Sequence, residues 1–214
     1  MTRHVIREAR PQDAEFLAWA ILTAARGHLQ RGWFDIALNQ PEKACLEFLM
    51  RLSITDTPSW WHYSRFLVVE GQARPVAALS AFRAGDAYPL SQAAISETAE
   101  ALGIPGPEQA AIWQRGGYLF LCATGSHEDC WTVENVATLP SHRGSGFATA
   151  LLERAIDDGR AQGLKEAQIT VFIGNRSAER VYEKAGFRVA GEERHPDFEA
   201  AAGAPGLRRF IRPL

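Results

Sequence analysis

Apolar residues recur along this chain with two periods. Residues 5–9 alternate and read as a short first strand. From Pro11 the spacing changes: Phe16, Leu17, Ala20, Ile21 and Ala24 fall at i, i+3 and i+4, the stripe of a helix that ends near Gly27. Residues 27–40 lack a period and read as a loop holding Trp33 and Phe34. Pro41 opens a second helix with Cys45, Phe48, Leu49 and Leu52 on one face. Residues 65–70 and 75–82 are rich in Val, Leu and Phe on either side of Gly71, the pattern of an antiparallel hairpin.

Residues 84–117 change character. They are small, polar and punctuated by Gly and Pro, with helical patches at 95–102 and 108–114. Residues 118–124 read as a strand, 125–129 as a turn, and 131–139 as a second, longer strand. A helix over 146–162 follows, with Ala148, Leu151, Leu152, Ala155 and Ile156 inward. A strand over 168–173 and a helix over 175–185, stopped by Gly186, come next. Residues 187–191 and 207–212 are closing strands around a Pro/Gly loop. Loosely alternating strands and helices predict an α/β class with a mixed sheet. At 214 residues and 46% hydrophobic, the chain can bury one substantial core, so one domain is expected, with an inserted segment at about 84–130.

A net charge of −2 gives no electrostatic case for nucleic acid or an anionic membrane. The cysteines, Cys45, Cys122 and Cys130, are odd in number, which fits a reducing cytosol and no disulfide framework. The first residues lack the apolar run of a signal peptide, and no stretch has the length of apolar residues a membrane helix needs. A cytoplasmic protein is expected. Cys122, His127 and Cys130 lack a fourth ligand at zinc spacing, so no metal is expected.

Residues 136–148 carry the chemistry: a strand runs into a Gly-rich turn that opens a helix. A helix start offers unpaired N–H groups and a positive dipole end to a phosphate. Gly144 and Gly146 let backbone approach without a Cβ, and Arg143 and the Ser145 hydroxyl can add contacts. The same glycines could simply shape a helix entry. No Walker lysine follows them, and Thr149 stands where a dinucleotide fingerprint needs a third small residue. In the next strand–helix unit, Asn175 is a good N-cap, and Ala178, Val181, Tyr182 and Ala185 form an apolar face.

In this order and spacing, the two segments resemble the central motifs of the GNAT superfamily of N-acetyltransferases. Arg143, Gly146 and Ala148 fill the fixed positions of its Gln/Arg-x-x-Gly-x-Gly/Ala pattern. The resemblance is strong over about 131–191, while the first half supports it only through element order. It implies a mostly antiparallel twisted sheet, splayed between its fourth and fifth strands and flanked by helices on both faces. It implies acetyl-CoA as acyl donor, held by Arg143, Gly144, Ser145, Gly146, Phe147 and Ala148 at the pyrophosphate, with Asn175 nearby. Thr138 and Leu139 would offer unpaired backbone to the pantetheine and thioester. Tyr182 would be the general acid that protonates the departing thiolate, a role its ordinary pKa suits.

Glu134 reads equally as a base for the amine acceptor or as a polar residue on a half-exposed strand. His127, Glu128 and Asp129 are alternative bases. Family acceptors are gripped by the first helices and the central strand edges, here 28–35, the run Trp60–Tyr63 and the insert. The six tryptophans fall mostly there, which fits an aromatic-lined pocket for a small, partly apolar amine and fits core packing as well. The reading is an N-acetyltransferase working by direct transfer in a ternary complex. The alternative is a non-catalytic acyl-CoA sensor that keeps the fold. Homodimers are common in the family, though no interface announces itself here.

Overall fold

Strands Phe66–Gly71 (β2) and Arg74–Arg83 (β3) are near-continuous runs of Val, Leu, Ala and Phe because both faces of their sheet are covered. Phe66, Val68 and Ala78 join one apolar cluster, whereas Leu67, Val69, Ala77 and Leu79 join another on the opposite side. The computed structural model describes residues 4–123, 125 and 128–214. The remaining strands are Val5–Glu8 (β1), Trp131–Thr138 (β4), Glu166–Phe172 (β5), Arg188–Arg194 (β6) and Gly206–Pro213 (β7). The seven-stranded sheet runs β1-β2-β3-β4-β5-β7-β6. All neighbours are antiparallel except β4 and β5.

Helices Ala14–Arg26 (α1) and Glu42–Leu52 (α3) pack their apolar stripes against the first cluster. Phe147–Ala161 (α7) buries Leu151, Leu152, Ala155 and Ile156 against the second, and Arg176–Lys184 (α8) adds Tyr182 there. A third cluster, around Tyr118, Phe172 and Phe198, covers the far end of the sheet. The α/β class and the mixed, mostly antiparallel sheet follow the expectation.

Local departures from it have physical reasons. The expected loop at 27–40 contains a short helix, Trp33–Leu38 (α2). The Gly32 N–H donates to the Asp35 carboxylate at 2.8 Å, closing its first turn, and one and a half turns are too few to show a period. The expected strand at 118–124 is instead a 3-10 helix, Gly117–Cys122, whose Tyr118 and Cys122 face the third cluster; Thr124 lies outside the described residues. The insert is helical, with Ala84–Ala87 (α4), Ser91–Ala101 (α5) and Gly106–Gly116 (α6). The expected Pro/Gly loop before the last strand contains Pro196–Ala202 (α9), which buries Phe198 completely.

The sheet opens at its centre. β4 and β5 pair only at Trp131–Ala167, Thr132–Gln168 and Val133–Ile169, then part. Just beyond, Asn135 sits at φ 55° in a bulge that shifts the β3–β4 register. Its Nδ2 donates to the buried Ser80 hydroxyl at 2.9 Å, which holds the strand in that bent form.

Candidate active site

The gap between β4 and β5 leads into a cavity of about 1110 Å³. At one end, the turn before α7 places Arg143, Gly144, Gly146, Phe147 and Ala148 on its wall. Gly144 and Gly146 have φ of 80° and 81°, where a side chain is strained, and open space lies where each Cβ would be. Among the described residues no side chain caps α7, which leaves its first N–H groups without a side-chain acceptor there. Arg143, Arg180 and Lys184 also line the cavity. Uncapped donors, glycine backbone and added cations suit a pyrophosphate.

Asn175 caps α8 as expected, accepting from the Ala178 N–H at 3.3 Å, and borders the same space. Thr138 lines it too. Two expected residues do not. Ser145 is exposed, away from the wall. The Leu139 N–H donates to the Val76 carbonyl at 2.9 Å and its carbonyl accepts from the His142 N–H, so Leu139 has no free backbone donor to offer. Successive strand residues direct their backbone groups to alternate sides. The bond from Leu139 to β3 therefore turns Val136 and Thr138 toward the open side, and Val136 is a lining residue that the sequence did not single out.

Deeper in, Glu134 and Tyr182 share the cavity. Burial of the Glu134 carboxyl pushes it up to about 7. The Tyr88 hydroxyl donates to Glu134 Oε1 at 2.9 Å and counters part of that rise. Burial, with the Glu134 charge nearby, raises Tyr182 above the usual tyrosine range, so it keeps its proton. Glu134 is part-buried on β4, lines the cavity and is bonded to Tyr88. Of the alternative bases, Glu128 and Asp129 are exposed and absent from the lining, with Asp129 paired to Arg83; His127 lies outside the described residues. Tyr88 carried no signal in the sequence beyond its place in the insert.

The family model described as Acetyltransferase (GNAT) family matches residues 39–187. The chain belongs to this acetyltransferase family. Its fold is similar to that of a crystal structure described as an acetyltransferase, at TM-score 0.71 and 16% identity over 98% of each chain. It is also similar to an N-acetyltransferase from Staphylococcus aureus Mu50, at TM-score 0.70 and 20% identity over 98% of this chain and 100% of that one. The polyamine N-acetyltransferase of Drosophila melanogaster gives TM-score 0.59 and 17% identity over 99% and 100%. No curated protein sequence matches the chain.

Proposed function

We propose that this GNAT acetyltransferase uses acetyl-CoA to acetylate a primary amine of a small acceptor by direct transfer in a ternary complex. One observation carries the reading: a single cavity joins the uncapped start of α7 to Glu134 and Tyr182. When bound, acetyl-CoA supplies an activated acetyl group and a thiol leaving group. Arg143, Gly144, Gly146, Phe147 and Ala148 hold the pyrophosphate, with Asn175 beside them. Val136 and Thr138, on the β4 edge that β5 leaves free, offer backbone donors and acceptors to the pantetheine amides.

The chain's own residues then move two protons. Glu134, poised near neutrality, accepts one from the attacking ammonium, so that the amine lone pair is free to form the new C–N bond. Tyr182 keeps a proton for the departing sulfur as the C–S bond breaks. At neutral pH Tyr182 carries its proton, and about half of Glu134 is ionised, a fraction that grows as pH rises.

Thermal-shift titration with acetyl-CoA, CoA and ATP tests the donor. Saturation at about 100 times Kd should stabilise the fold by roughly 2.7 kcal/mol with the CoA species and not with ATP. Tyr182→Phe should then lower kcat roughly 10²–10⁴-fold while acetyl-CoA affinity holds. A shift with acetyl-CoA but no turnover of any amine would favour a non-catalytic acyl-CoA sensor.

A further inference from the structure

The end of the cavity away from the α7 turn is walled by aromatic rings and holds one carboxyl group. Trp113, Trp33, Trp61, Trp60 and Tyr88 line it in an unbroken chain, with successive centroids 6.2, 6.4, 4.1 and 5.6 Å apart. Two of these indoles are pinned by the inserted segment. Trp60 Nε1 donates to the Ser91 hydroxyl at 3.0 Å, which donates to the Tyr88 carbonyl at 2.7 Å. Trp33 Nε1 donates to the Gly116 carbonyl at 2.9 Å, and its ring lies where a Cβ on Gly116 would come within 2.6 Å. With those N–H groups committed to protein, the two rings present carbon surface to a ligand. Tyr88 joins this wall to Glu134, which is the only carboxylate among the described lining residues.

We infer that the acceptor is a monoamine whose single ammonium is carried on an aromatic or similarly flat apolar body, and is not a di- or polyamine. This rests on the N-acetyltransferase reading above. Glu134 can neutralise one ammonium. The second cation of a diamine would sit against indole carbon, where cation–π attraction recovers only part of its lost hydration. The cationic residues of the cavity, Arg143, Arg180 and Lys184, come from the α7 entry and α8, and they repel a second ammonium directed that way. A flat apolar body instead fills the aromatic wall. Rings already fixed by Ser91 and Gly116 lose little freedom on binding it.

Calorimetric titration of the CoA-saturated protein with 2-phenylethylamine and with 1,4-diaminobutane tests this, beside thiol-release rates for both with acetyl-CoA. The phenyl compound should bind roughly ten- to hundredfold more tightly, the range that one buried ring provides. Trp113→Ala should weaken it about tenfold and leave diaminobutane and CoA affinity unchanged, with Trp113→Phe recovering most of the loss. Equal or tighter binding of the diamine would overturn the inference, as would a Trp113→Ala variant that binds CoA normally and phenylethylamine undiminished. Preferential binding of the phenyl compound without thiol release would overturn the transferase reading and leave the ligand class standing.

Discussion

A carboxyl group raised to about 7 inside a protein is costly to ionise, and Glu134 carries that cost. Its enclosure raises the pKa, and the hydrogen bond from Tyr88 pulls it part of the way back. kcat/KM should therefore rise with pH through about 7. Tyr88→Phe should move this limb upward by about one pH unit, the worth of one lost hydrogen bond to the ionised form. A limb that stays in place would assign it to another group. The same pKa has a stability sign. Between the ordinary value of 4.5 and about 7 the folded state holds a proton that the unfolded chain has released, so stability falls as pH rises through that window. Glu134→Gln keeps an acceptor for Tyr88 and removes the charge. At pH 8 it should be more stable than the parent by at most about 3 kcal/mol, with the gap narrowing toward pH 5, and kcat/KM should fall roughly 10²–10⁴-fold. Denaturant unfolding at the two pH values checks the first part. Equal stability at both would mean that Glu134 titrates as an ordinary carboxylate.

At the scale of elements, the sheet opens next to a bulge at one residue of β4. Asn135 at φ 55° adds a residue to the β4 side of its pairing with β3 and is held there by Ser80. Asn tolerates that backbone and Val does not. Asn135→Val should cost about 2–3 kcal/mol in urea unfolding and weaken acetyl-CoA binding, whereas Asn135→Gly should lose only the hydrogen bond, about 1 kcal/mol. If the two variants behave alike, the positive φ contributes nothing. The bulge also explains which parts of the site were legible beforehand. The Gly-rich turn, the Asn175 cap and Tyr182 stand in continuous motifs, and the long stripes of α1, α3 and α7 announce themselves. Which backbone groups of β4 face the gap depends on counting residues from a pairing partner, and one inserted residue reverses the count. Hence the sequence does not display that Val136 and Thr138 line the gap while Leu139 is turned to β3. Tyr88, Ser91 and Gly116 were invisible for a related reason. Their roles arise only when a Gly/Pro-punctuated insert folds back onto Trp33 and Trp60.

At the scale of the whole molecule, the sheet consists of two parts, β1–β4 and β5–β7, held together by the short parallel pairing at the base of the gap. Gln168 Nε2 reaches Thr132 Oγ1 at 3.1 Å there, and Trp33 packs against both the first and the third clusters across the cavity. A ligand lying in the gap should therefore act as the missing stretch of β4–β5 pairing. Hydrogen exchange can read this amide by amide. In the free protein Val136 and Thr138, directed into the gap, should exchange fast, while Leu139, bonded to the Val76 carbonyl, should already be slow. Acetyl-CoA at about 100 times Kd should slow amides that exchange only through global unfolding by roughly a hundredfold. Val136 and Thr138, together with the first N–H groups of α7, should change from fast to slow because the ligand accepts their hydrogen bonds directly. If Leu139 gains protection while Val136 and Thr138 stay fast, the cofactor lies elsewhere, and the gap only separates two halves of a sheet.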